Sequence, residues 1–207
     1  MSSVSPQIRT AILRPGPDRR CPTPHRFEPR NTVRCVGDPQ FRTQLVRDAA
    51  CLLDVDLNVI SWSCAPDPVD VRGTVVQPDL RALRDDGTEH ILVLDNDQNP
   101  PFPPNENRDE SSALRILRRS DVEGDRLENA RELLRYARWR VPLSERIRLL
   151  AALDAEGSLS LAECLSLGRP GFDAIAMVAA LALHRFVVID LDSGRIGPET
   201  RVTLYRG

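Results

Sequence analysis

The sequence predicts an α/β protein in two parts, and three observations carry that prediction. An apolar helical period around Phe41, Leu45, Ala49 and Leu52 or Leu53 precedes β-rich segments joined by a tight Asp85-Asp86-Gly87 turn. A proline-rich polar stretch, Gln98 to Ser112, then interrupts regular structure. Beyond Val141-Pro142 the pattern changes to helix, helix, helix, strand, strand. These breaks divide the chain into an arm over 1–35, a first domain over 36–142 and a second over 143–207.

The arm is basic. Residues 1–30 hold six prolines and six arginines against Asp18 and Glu28, a composition too poor in apolar groups to build a core. Such a segment is either a solvated tail or a tracker of phosphates through guanidinium groups.

The first helix is expected to begin at Val36-Gly37-Asp38-Pro39, with Asp38 as cap and Pro39 in the first position, and to end near Asp54. VDLNVISWSCAP reads as extended, and VRGTVVQPDLRAL and TEHILVLDND read as the two arms of a hairpin. ALRILRRSD follows as a short strand, and RLENARELLRYARW as a helix with Leu127, Ala130, Leu134 and Ala137 on its apolar stripe. Residues 113–142 carry eight arginines against five acids, which fits a solvated helix face or a phosphate-facing one.

In the second domain, LSERIRLLAALDAEG, SLSLAECLS and GFDAIAMVAALALHRF supply three helices, with Ser144 at the start of the first and Ser160 capping the second. FVVIDLD and ETRVTLY are the strands, turning at Asp192-Ser193-Gly194. This is the element order of a winged helix. Its third helix has no cation from Asp173 to Leu183, and residues 143–207 hold seven arginines against eight acids. A helix of that kind suits packing against protein, its own core or a partner, better than a negatively charged groove.

Composition excludes several classes. At 207 residues, 41% hydrophobic and 28% charged, the chain can bury a core and is neither collagen, coiled coil nor a wholly disordered tail. The longest apolar run, Ala174 to Leu183, is half of what a membrane-spanning helix needs, and no N-terminal stretch resembles a secretion signal, so a cytoplasmic location is expected. All 28 basic residues are arginine; there is no lysine. Cys21, Cys35, Cys51, Cys64 and Cys164 form no CxxC pair and His25, His90 and His184 are scattered, which supports neither a zinc finger nor a disulfide framework. No glycine-rich phosphate loop or GxSxG elbow is present, which argues against an enzyme of small-molecule metabolism and a small-molecule cofactor.

Pro78-Asp79 opens one arm of the hairpin and an acidic segment closes the other, an arrangement that resembles the PD-(D/E)xK nucleases. QFRTQLVRDAACLLDVDLNVISWSCAP, VVQPDLRALRDDGTEHILVLD and LENARELLRYAR are similar, in that order, to the helix, hairpin and following helix of TnsA-type transposon-end endonucleases. The resemblance covers residues 36–205 and rests on motif order. It implies a restriction-endonuclease-like mixed-sheet domain followed by a winged helix, a subunit of a heteromeric transposase acting in DNA recombination, and as partners DNA, the transposase subunit and an AAA+ ATPase regulator.

In an active relative, converging carboxylates hold Mg²⁺ that activates water for phosphodiester hydrolysis, commonly with a lysine. Here the proline and aspartate are Pro78 and Asp79, Val46 stands where the family has its helix glutamate, and Asn96 or Asp97 stands in the place of the lysine. Two registers are open. In one, Leu94 replaces the second carboxylate and Asn96 the lysine, and only Asp79 survives. In the other, Asp95 and Asp97 extend one face of the strand and join Asp79 as the catalytic set, with Asp79 and Asp95 on the metal. Asp48 or Gln44 on the first helix are further candidates for a recruited ligand. A degenerate site in a DNA-end-binding subunit is the leading expectation, with a working Mg²⁺-dependent endonuclease and a non-enzymatic interaction module as alternatives.

Overall fold

The computed structural model describes residues 27–71, 73–100, 114–169 and 171–207. Residues 1–26 of the expected arm, including Cys21 and His25, and most of the proline-rich stretch lie outside the described residues. The chain is mixed α/β, with six helices and a mixed sheet among the described residues. No helix is long and apolar enough to cross a membrane.

Helix α1 spans Gln44–Val55, five residues later than the sequence suggested. Thr43 caps it, its hydroxyl accepting from Val46 N, while Asp38 and Pro39 stay outside in irregular chain. The apolar side of α1, with Leu45, Val46, Ala49, Ala50 and Leu53, is buried.

Four strands form the main sheet: β1 (Val59–Cys64), β4 (Leu80–Arg84), β5 (Gly87–Leu94) and β6 (Leu114–Arg118), in the spatial order β1-β4-β5-β6. β1, β4 and β5 run antiparallel in turn, whereas β6 is parallel to β5. Arg84 pairs with Gly87, so Asp85-Asp86 form a two-residue hairpin loop with Gly87 at a positive φ of 145°. The segment read as a single extended arm before β4 contains its own small hairpin, β2 (Val69–Val71) and β3 (Thr74–Val76). Asp70 accepts from Gly73 N at 2.7 Å and holds that turn.

Alternation sends β-sheet side chains to two separate clusters. Leu80, Ala82, Ile91 and Val93 join the main core under α1, while Leu92 and Leu94 pack with Val71 and Val76 of the small hairpin on the opposite face. After β6 come the short α2 (Arg119–Val122) and α3 (Asp125–Leu134), whose Leu127, Ala130 and Leu134 are buried as expected from their spacing.

The C-terminal stretch holds α4 (Leu143–Glu156), β7 (Ser158–Ser160), α5 (Leu161–Ser166), α6 (Ala174–Leu183), β8 (Val187–Ile189) and β9 (Arg201–Leu204). Pro142, not Ser144, is the N-cap residue of α4, its carbonyl accepting from Glu145 N and Arg146 N. Ser160 and Glu163 form a reciprocal capping box on α5, and Asp173 caps α6. The three strands pair antiparallel in the order β7-β9-β8.

The two stretches share one buried cluster. Leu127, Leu133 and Leu134 of α3 belong to the same core as Met177, Val178 and Leu181 of α6. Asn129, itself buried, donates to the carbonyls of Leu191 and Gly194 at 3.2 and 2.7 Å and accepts from Ile196 N at 2.9 Å. Arg126 pairs with Asp192, and Arg185 donates to the carbonyls of Val59 and Asp56.

Candidate functional site

Asp79 sits immediately before β4, and the register Leu80 to Ile91 brings it against the far end of β5. Its backbone N donates to Ile91 O at 2.8 Å, and its carbonyl accepts from Ala65 N at 3.0 Å. Only 7% of its side chain is exposed. Arg42, from the irregular segment before α1, lays its guanidinium across that carboxylate: Nε donates to Oδ1 and Nη2 to Oδ2. The same Nη2 reaches Val93 O at 2.6 Å, and Val93 N donates to Asp79 Oδ2 at 2.8 Å. The hydrogen bond from Arg42 to Asp79 raises the arginine's pKa further above its ordinary value, against the opposing effect of burial.

Across the hairpin, the residues that share a face with one another beside Asp79 are Leu92 and Leu94, both buried against Val71 and Val76. Regular strand pairing ends at Leu94, so Asp95 and Asp97 do not extend its alternation; this corrects the expectation that both point to one face of a longer strand. The chain turns there because Gln98 folds back, its N donating to Asp95 O at 3.1 Å and its side-chain oxygen accepting from Asp95 N at 3.0 Å. Asn96 accepts from Ser120 N at 3.1 Å, pinning the turn to α2.

Asp95 is held by a second guanidinium, with Arg119 Nε at 2.5 Å from its Oδ1. That hydrogen bond draws the Asp95 carboxyl below the usual carboxylate range. Asp97 is exposed at the tip of the turn. Among the described residues no three or more His, Cys, Asp or Glu side chains stand together as a metal-holding group.

The α1 candidates have structural partners. Val46 lies in the core, 2% exposed. Asp48 accepts from Gln44 at 2.7 Å and pairs with Arg131 of α3 at 2.8 Å, so it fastens the two helices. Gln44 also donates to Glu28 O at 2.7 Å.

The sequence reading missed the role of Asp54, a fully buried carboxylate. Its Oδ1 accepts from Val33 N at 3.1 Å, Arg34 N at 2.9 Å and Trp62 Nε1 at 2.8 Å, and Arg47 Nη1 stands 4.0 Å from Oδ2. Burial pushes this carboxyl up, against the lowering effect of those donors and of Arg47. Arg47 is itself fully buried, donating to the carbonyls of Pro29 and Asn31 at 2.8 Å each. The acid at the end of α1 and the extended chain before it are therefore one structural unit. An aspartate at the end of the helical period followed eight residues later by a tryptophan was the only hint in the sequence.

Comparison with known proteins adds no relative: no family model matches the chain, and no curated protein matches it.

Proposed function

We propose that this chain is a TnsA-like subunit of a heteromeric transposase that binds DNA ends and assembles with its partners without cutting, on a restriction-endonuclease-like unit joined to a winged-helix unit. The topology supports this reading. α1, the antiparallel β1, β4 and β5, the parallel β6 and the packing of α3 on α1 follow the order expected of the nuclease-like unit. The sequence α4-β7-α5-α6-β8-β9, with β9 between β7 and β8, is the arrangement expected of a winged helix.

The observation that carries the loss of cleavage is the Arg42 fork on Asp79. Mg²⁺ needs oxygen ligands that converge with open coordination positions. Here both oxygens of Asp79 are engaged by a guanidinium, Leu92 and Leu94 offer no oxygen, and Asp95 is turned to Arg119. As arranged, this donor set does not fit the ion.

DNA contact then rests on phosphates. In DNA-reading winged helices the third helix lies in the groove, but α6 is buried from Ala176 to Leu181 within this protein's own core. Guanidinium groups on the surface supply the attraction, a backbone-directed term without base readout. For a protein partner such as the AAA+ regulator, Leu143 and Ile147 stand exposed one turn apart on α4.

Fluorescence anisotropy with duplex DNA tests this, run beside nicking of supercoiled plasmid in Mg²⁺ and Mn²⁺. The expected result is binding that weakens steeply between about 50 and 200 mM salt, with no nicking and no change in Asp79→Asn. Nicking that disappears in Asp79→Asn would restore a working nuclease. Absence of binding even at low salt would leave an interaction module that does not touch DNA.

A further inference from the structure

Most of the arginine excess in residues 113–142 is taken up inside the protein. Arg115 faces Glu89 at 3.8 Å, Arg118 donates to the carbonyls of Asn96 and Gln98, and Arg119, Arg126, Arg131 and Arg135 each pair with a carboxylate. Arg138 and Arg140 remain. Both are exposed, and among the described residues neither makes a hydrogen bond or an ion pair. No acid lies between Glu132 and Glu145 to neutralise them. Glu132 is bound to Arg135, and Glu145 is buried and paired with Arg148 and Arg169.

Between these two cations stands Trp139, 40% exposed, whereas Trp62 is 1% exposed. The chain that carries it is anchored on both sides. Successive turns bond Tyr136 N to Leu133 O at 2.9 Å, Ala137 N to Leu134 O at 3.2 Å and Trp139 N to Tyr136 O at 2.9 Å. Leu133, Leu134 and Ala137 are buried in the main core, and Tyr136 and Val141 pack against it.

We propose that Arg138, Trp139 and Arg140 form a binding site for single-stranded DNA, the indole stacking on a base while the two guanidinium groups hold adjoining phosphates. This rests on the DNA-binding reading above and adds which part of a DNA end is held, an unpaired tail, and where.

Charge and shape select this occupant. A polyanion supplies the countercharge that the segment lacks. An indole stacks on any base but needs that base's face to be free, which a paired and stacked duplex denies it. Consecutive Cα atoms lie about 3.8 Å apart, so the three groups spring from about 8 Å of chain and can bear on neighbouring nucleotides. Aromatic faces set among cations hold single strands without regard to sequence, in keeping with contact that reads no base edges.

The test uses the full chain with oligo(dT) of about 16 nucleotides and a blunt duplex of equal length, labelled for anisotropy and unlabelled for tryptophan emission. The expected result is binding of the single strand with quenching of the emission, a signal that reports Trp139 because Trp62 is buried. Trp139→Ala should weaken oligo(dT) binding about 5- to 100-fold and duplex binding about twofold or less, and Trp139→Tyr should recover most of the loss. Replacing Arg138 and Arg140 together with glutamine should weaken binding of both probes and flatten the slope of log K against log salt for oligo(dT) by about 1.4. A wild type that binds duplex while Trp139→Ala loses nothing on oligo(dT) would overturn this site, leave the DNA-binding reading standing and assign the exposed indole to a protein partner. Equal losses on the two probes would overturn it as well, because a free base face is what separates them. A wild type that binds neither probe would overturn both readings.

Discussion

Replacing Asp54 with alanine removes the one acceptor shared by three donors. Trp62 Nε1 and Arg34 N lie in buried surroundings, whereas Val33 N is half-buried and can turn to water. Each buried donor left unpaired costs about 1–3 kcal/mol. Arg47 also loses its carboxylate neighbour at 4.0 Å with neither side chain exposed to solvent. The expected loss in Asp54→Ala is therefore about 3–5 kcal/mol, a large part of the stability of an ordinary domain. Trp62→Phe, which removes a single donor, should cost about 1–2 kcal/mol. Urea unfolding followed by far-ultraviolet circular dichroism measures both. Asp54→Asn separates charge from hydrogen bonding. Because burial raises the Asp54 pKa in the folded state, its proton-linked stabilisation is complete below the unfolded pKa and is lost as pH rises through the folded one. The stability of the wild type relative to Asp54→Asn should thus decline with rising pH across that interval. A loss below about 1 kcal/mol in Asp54→Ala, or an advantage over Asn that grows with pH, would refute this account of the buried carboxylate.

Arg42→Gln should lower stability by about 1–2 kcal/mol, since a two-pronged bond to a shielded carboxylate is lost but half of the arginine side chain is already in water; an unchanged urea midpoint would show that the fork holds nothing. Asn129→Ala should cost about 2–4 kcal/mol by leaving two carbonyls and one backbone N–H without their partner, and a thermal melt would expose a failure of that expectation as an unmoved Tm.

What the sequence made legible was local chemistry. Asp85-Asp86-Gly87 turns the hairpin through backbone preferences within three residues, and Ser160 with Glu163 caps α5 within one turn. Asp38-Pro39 has the composition of a helix cap, yet α1 starts at Gln44, because the segment between is held in irregular form by distant partners, Arg42 reaching Asp79 and Val93. Asp70 and Gly73 divide a run of β-branched residues that reads as one strand. At the site, Pro78-Asp79 was visible as a motif, but its guanidinium cover was not. Arg42 lies 37 residues away in sequence, and nothing in its neighbourhood marks one arginine among 28. β5 ends earlier than its alternating acids suggest: a local turn, Gln98 bonding back to Asp95 three residues before it, bends the chain, and the bond from Ser120 to Asn96 that pins the turn is tertiary.

The core that runs unbroken from α3 into α6 also governs how the molecule transmits force. Two halves on a flexible tether would let a bound nucleic acid and a bound partner choose their mutual orientation freely. Here Asn129, Arg126 and Arg185 cross the join, so the halves are expected to melt in one transition by calorimetry rather than two. With that core and those bonds intact, whatever grips one end is expected to set the angle of the other, as in a bracket rather than a hinge.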